Sequence, residues 1–141
     1  MLKRLSALLL CASFPAGLMA QAAPAAKHHV VFVITSGTPE DWQRTMTLAD
    51  HFIAGVKPET TDVEVLAYGP GIGILAKGAS TASQMPDLAK QGVKFVACQN
   101  AMRSAHLTQT DMLPGVVSVP SGVVELVRRQ EAGYSYVKVG E

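Results

Sequence analysis

Cysteine is scarce in this chain, with two among 141 residues, Cys11 and Cys98. So few exclude a disulfide-stapled scaffold, and an apolar core has to carry the fold. An excess of charge of one sign is missing as well: 12 basic residues face 11 acidic ones, a net charge of +1. No basic patch stands out to bind nucleic acid or a membrane surface. The N-terminal apolar stretch, Leu5 to Leu18, falls short of the ~20 residues that span a bilayer. Internal repeats are absent. Familiar motifs are lacking too. Gly69 to Gly73 holds three glycines and a proline, but neither the Lys-Ser/Thr of a P-loop nor dinucleotide spacing, and it is read as a tight turn. Ser121 has no G-x-S-x-G elbow around it and resembles a helix cap more than a nucleophile.

What is present begins with an export signal. Met1 to Arg4 is a short basic start, Leu5 to Leu18 is mostly apolar, and Ala20-Gln21-Ala22 offers the small residues a signal peptidase accepts. A lipid anchor on Cys11 does not fit, because bulky Leu10 precedes it. Residues 1–22 are therefore expected to be a signal peptide, 23–28 a flexible linker rich in Ala and Pro, and 29–141 one domain. Export implies a periplasmic mature protein with no membrane contact after cleavage, a net charge of about −1 and a single thiol, Cys98.

Strand and helix signals alternate from His29 onward. The β-branched run His29 to Ile34 reads as a strand buried on both faces. Thr38-Pro39-Glu40-Asp41 then starts a helix, with a capping hydroxyl, proline in the first turn and acids at the positive end of the dipole. Trp42, Met46, Ala49, Ile53 and Val56 follow at helical spacing. Further strands are expected at Asp62–Tyr68, Gly92–Cys98, Val116–Val119 and Tyr134–Val139. Helices are expected at Ile74–Lys77, Gln84–Gln91, from Ala101, around Thr108–Leu113 and over Gly122–Glu131. The last is expected to turn Val123, Leu126, Val127 and Gln130 inward and Arg128, Arg129 and Glu131 outward. Five strands with intervening helices define an α/β fold, a three-layer open sandwich around a mainly parallel five-stranded sheet.

In such sheets ligands bind beyond the carboxyl ends of the strands. Ser36, Gly69, Gly71, Gln99, Asn100 and Ser121 all follow strands, so they are expected to share one binding rim with Cys98. A thiol at a strand end, just before a helix, sits near N–H donors that favour the thiolate and hence nucleophilic attack. The competing reading is a small buried hydrophobe, the commonest fate of a free cysteine. His106, eight positions on, is the nearest candidate base and reads as a helical surface residue. His28 and His29 are read as polar residues at a strand edge, and neither a metal nor a cofactor is expected.

Several motifs in order carry a resemblance: Gly69-Pro70-Gly71 after the second strand, Ala97-Cys98-Gln99-Asn100-Ala101-Met102 at the end of the third, Leu113-Pro114-Gly115-Val116, Val119-Pro120-Ser121-Gly122, and Gln130-Glu131-Ala132-Gly133-Tyr134. From His29 to Lys138 the chain resembles the DsrE/DsrF-like family. The resemblance implies a small α/β fold and assembly as a trimer or hexamer. It also implies a cysteine, matched by Cys98, that carries sulfur as a persulfide between donor and acceptor proteins. Established carriers of the family work in the cytoplasm with sister subunits, whereas this chain is expected to be exported.

Overall fold

The computed structural model describes residues 27–140. The expected signal peptide lies outside the described residues, as do most of the expected linker and Glu141.

Strands form where β-branched and other apolar residues dominate the run, most fully in the central strands, which bury both faces. These are β1 (His28–Ile34), β2 (Thr61–Ala67), β3 (Val93–Cys98), β4 (Val117–Val119) and β5 (Ser135–Val139). All pairings are parallel, and the order across the sheet is β4-β3-β2-β1-β5. The chain thus steps outward from β1 to β4 and then returns across the sheet to place β5 on the other side of β1.

Helices α1 (Pro39–Gly55), α2 (Met85–Lys90) and α3 (Gln99–Ser104) supply Met46, Ala49, Ile53, Met85, Leu88, Ala101 and Met102 to the main core, against Val30, Phe32, Ile34, Val65 and Phe95. The N-terminus of α1 is capped as its sequence requires: the Thr38 hydroxyl accepts the Asp41 N–H and Pro39 opens the first turn. On the opposite face a smaller cluster, Val31, Val33, Leu66 and Val96, is covered by Leu126 of α4 (Gly122–Glu131) with Tyr68, Val119 and Tyr134. The layers are helices, sheet and one further helix, the expected three-layer architecture.

Three local readings are corrected. The segment after β2 turns helical at its glycines: Gly69–Leu75 is a 3-10 helix and no helix covers Ile74–Lys77. Proline at the first position suits a helix start, and Gly71 alone fits there, since a Cβ on it would lie 2.3 Å from the Ile34 carbonyl oxygen. Around Thr108 only a 3-10 turn forms, Gln109–Asp111, closed by a reciprocal capping box between Thr108 and Asp111.

The third correction concerns the facing of α4. Val123, Val124 and Val127 are exposed, while Glu125, Leu126 and Arg129 turn toward the sheet. The cause lies in two contacts that periodicity does not see. Gly122 packs so closely on Tyr68 that a Cβ would sit 2.9 Å from the tyrosine Cβ, which sets the roll of the helix. Arg129 then reaches the buried Glu64 of β2 at 2.8 Å.

Candidate functional site

The carboxyl ends of the strands gather the expected rim at one end of the sheet. Cys98 is the last residue of β3, pairs in register with Val119, and stands as the N-cap of α3. Its helix follows at once, beginning at Gln99. Cys98 is a free thiol and is 5% exposed. Tyr68 stands beside it at the end of β2. Burial, followed by the charges of Tyr136 and Cys98, raises the Tyr68 phenol above its ordinary value of 10.0.

The other rim residues divide into separate groups. Ser36 lies after β1, where its Oγ accepts the Thr38 N–H (3.3 Å) and its carbonyl accepts the Trp42 indole N–H (2.9 Å). Gly69, with φ 57°, and Gly71 shape the 3-10 helix; the Gly71 N–H donates to the Thr35 carbonyl at 2.9 Å. Gln99 Nε2 donates to Ser118 Oγ (3.1 Å), tying the start of α3 to β4, and Asn100 accepts from Arg103. Ser121 is the N-cap residue of α4 and makes no side-chain capping bond. His106 is exposed in the turn after α3, with φ 56°, not within a helix. Among the described residues no three His, Cys, Asp or Glu side chains converge as metal ligands.

Two larger concavities open along this rim, beside a smaller one at Gln99 and Ser118. A polar basin of about 820 Å³ lies at the ends of β1 and β5, lined by Ser36, Thr38, Asp41, Arg44 and Lys138 among others. The Asp41 carboxyl is held below the usual range by the hydroxyls of Ser36 and Thr38 and by Arg44, against a partial opposing effect of desolvation. A groove of about 580 Å³, floored by Trp42, Pro70 and Ile72 and walled by α3, lies beyond β1, β2 and β3. The two share Gly37 and Pro70.

A further group of charges lies under α4, away from the rim. Glu64 is 0% exposed, and burial raises its carboxyl from 4.5 to about 7 against the opposing effect of Arg129. The ion pair is close, and among the described residues Arg129 is the one group that offers the buried Glu64 carboxyl a charge at 2.8 Å. Arg129 also meets Glu125 at 2.9 Å and lies over the Tyr134 ring, 5.2 Å from its centre. Tyr134 donates to Asp62 at 2.6 Å, and Lys94 pairs with the same carboxylate at 2.9 Å. Sequence reasoning missed this group; an acid in the middle of an otherwise apolar buried strand was the available signal.

A parallel α/β domain with one thiol among its described residues, set at a strand-to-helix junction, is the class these observations define. The chain belongs to the DsrE/DsrF-like family, whose model matches residues 16–139, and this family is related to sulfur relay proteins. Among solved structures it is similar to MTH1491 of Methanobacterium thermoautotrophicum, a protein of unknown function, at 31% identity. The TM-score is 0.74, with 79% of this chain and 98% of that one covered. YchN from E. coli shares the fold at 13% identity and a TM-score of 0.64, over 78% of this chain and 98% of that one. BT1422 of Bacteroides thetaiotaomicron does so at 11% identity and 0.57, over 78% and 94%. Comparison with curated proteins gave no match.

Proposed function

We propose that this protein is an exported, periplasmic sulfur carrier in which Cys98 holds sulfane sulfur as a persulfide. The observation that carries the reading is the position of Cys98, a free thiol at the carboxyl end of β3 where α3 begins. Family membership supports it. In the proposed step the Cys98 thiolate attacks the outer sulfur of a donor persulfide, R–S–SH. The donor S–S bond breaks, R–S⁻ leaves, and Cys98 becomes Cys–S–SH. An acceptor thiolate then attacks that outer sulfur and releases Cys98 as thiolate. Both steps are exchanges at sulfur and consume neither oxidant nor reductant.

Mass spectrometry of the mature protein after exposure to polysulfide tests the reading. One added sulfur on Cys98, absent from Cys98→Ser, is expected; equal labelling of the variant, or none in either protein, overturns it. The 5% exposure of Cys98 favours a second reading, a binding module in which this thiol is only packed. In that case Cys98 stays unlabelled until the protein unfolds.

Self-assembly, as a trimer or hexamer, is part of the same proposal. Its support is an apolar surface on the α4 side of the sheet. Val117 of β4 and Tyr136 of β5, which register with Val96 and Val31, are exposed on the same side as Val123, Val124 and Val127. A helix that turns its ion pair inward and its valines outward presents a surface suited to a partner.

A further inference from the structure

We propose that the groove beyond the carboxyl ends of β1, β2 and β3 is a binding site for an uncharged, apolar small molecule. Loops after three successive strands build it, which is where open parallel sheets place their ligands. Trp42, Pro70, Ile72, Ala101, Ala105 and Leu107 give it its character, and none of its lining residues is charged.

Its two polar side chains are already engaged. The Trp42 indole N–H donates to the Ser36 carbonyl at 2.9 Å, and the Ser104 hydroxyl donates to the Asn100 carbonyl at 3.1 Å. The indole therefore presents hydrocarbon to the groove, and an ionic guest would find no side chain to pair with. An extended peptide is disfavoured for a related reason, because its backbone N–H and C=O groups would need partners there.

The volume is held open by what the side chains leave out. A Cβ on Gly73 would lie 2.6 Å from Trp42 Cζ2, so the indole rests directly on the backbone; a Cβ on Gly37 would come within 3.2 Å of Pro70 Cβ. On the opposite wall α3 and its C-cap residue contribute only the methyl groups of Ala101 and Ala105 and the short Ser104. At about 580 Å³ the space falls inside the ~300–1,000 Å³ of small-molecule sites.

Trp42 is the single tryptophan of the chain and lines the groove, so its fluorescence responds to a guest bound there, and the groove variants assign the response to that site. The probe is the neutral fluorophore N-phenyl-1-naphthylamine, titrated into the full mature protein. Saturable quenching of Trp42 is expected. Ala105→Phe, which fills the space, should weaken the midpoint by about tenfold or more, on the order of the loss of a well-fitted apolar contact. Leu107→Ser, a change at a half-buried wall residue, should weaken it as well and provides the test if Ala105→Phe does not melt cooperatively. Lys90→Gln, an exposed change in α2 outside the groove, should leave the titration unchanged. Quenching that never saturates, or midpoints in both groove variants equal to that of the unmodified protein, overturns the proposal. Cys98→Ser should still bind the probe, so failure of the sulfur-carrier reading and failure of this one are told apart.

Discussion

Arg129 Nη2 lies 2.8 Å from Oε2 of Glu64, a carboxylate with 0% exposure in the middle of β2. This contact fixes the inward face of α4 and leaves the helix with valines on its outer side. Removing both charges from water is costly, and the attraction of Arg129 returns that cost only in part, since the Glu64 carboxyl stays raised beside it. The buried acid is therefore the group from which pH dependence is expected.

Burial holds the Glu64 carboxyl near 7, above its ordinary 4.5, with Glu125 adding to the rise and Arg129 and Lys94 opposing it. Between these values the unfolded chain ionises at Glu64 while the folded one keeps its proton. Its contribution to stability is thus fully present below pH 4.5 and is lost as pH rises through about 7. Glu64→Gln removes this dependence. Its stability relative to the unmodified protein should grow over that window, by at most about 3 kcal/mol. Urea midpoints across the window check this, and parallel curves for the two proteins contradict it.

Arg129→Met tests the same contact from the other side. With the cation gone, Glu64 is left buried and unpaired when ionised, so the loss should reach about 3 kcal/mol above neutrality and shrink in acid, where the carboxyl is protonated. The double variant with Glu64→Gln should recover much of that loss, a coupling that a double-mutant cycle reads directly. Additive losses would mean that the two side chains do not depend on each other.

Two glycines with opposite surroundings give opposite expectations. Gly71→Ala drives a Cβ to within 2.3 Å of the Ile34 carbonyl oxygen, which is backbone and cannot yield without disturbing β1. A loss of more than about 2 kcal/mol is expected. Gly55, the last residue of α1, has nothing within 4 Å of where a Cβ would sit, and Ala there should stabilise by roughly 0.5–1 kcal/mol through helix propensity. Thermal melts of the pair of variants give both signs in one experiment.

Much of the architecture was legible because parallel strands bury both faces. The β-branched runs at His29–Ile34 and Asp62–Tyr68 stand out against polar turns, and Gly122–Glu131 is helical over the expected span. The facing of α4 was not legible. It depends on Glu64 and Tyr68, which lie far from the helix in sequence and meet it only after the chain has crossed the sheet. At the rim, strand ends located Cys98, Ser36 and the glycines of the loop after β2. The groove itself was hidden, because the seating of Trp42 against Gly73 is a contact between two different βα connections.

Val127→Glu places a charge in the exposed valine surface of α4 without touching the core, since Val127 faces outward. If copies of the chain meet there, the carboxylate has to be desolvated at the contact, which is costly enough to separate them. Light scattering should report a lower mass for the variant with an unchanged circular dichroism spectrum. An unchanged mass would place the contact elsewhere or show that the chain does not self-associate.

Access to Cys98 has a direct measurement. At 5% exposure, the thiol of the folded protein should react with a thiol reagent through local opening, below the rate in denaturant but to completion without unfolding, as the carrier reading requires. Tyr68 stands beside it and packs at the start of α4 against Gly122, so its ring is the side chain whose removal is expected to uncover the sulfur. Tyr68→Ala should raise the folded-state rate by on the order of tenfold, and Tyr68→Phe, which keeps the ring, should leave it close to that of the unmodified protein. Equal rates for all three proteins would remove Tyr68 as the cover and place the barrier at the β3–β4 edge, where Gln99 is tied to Ser118.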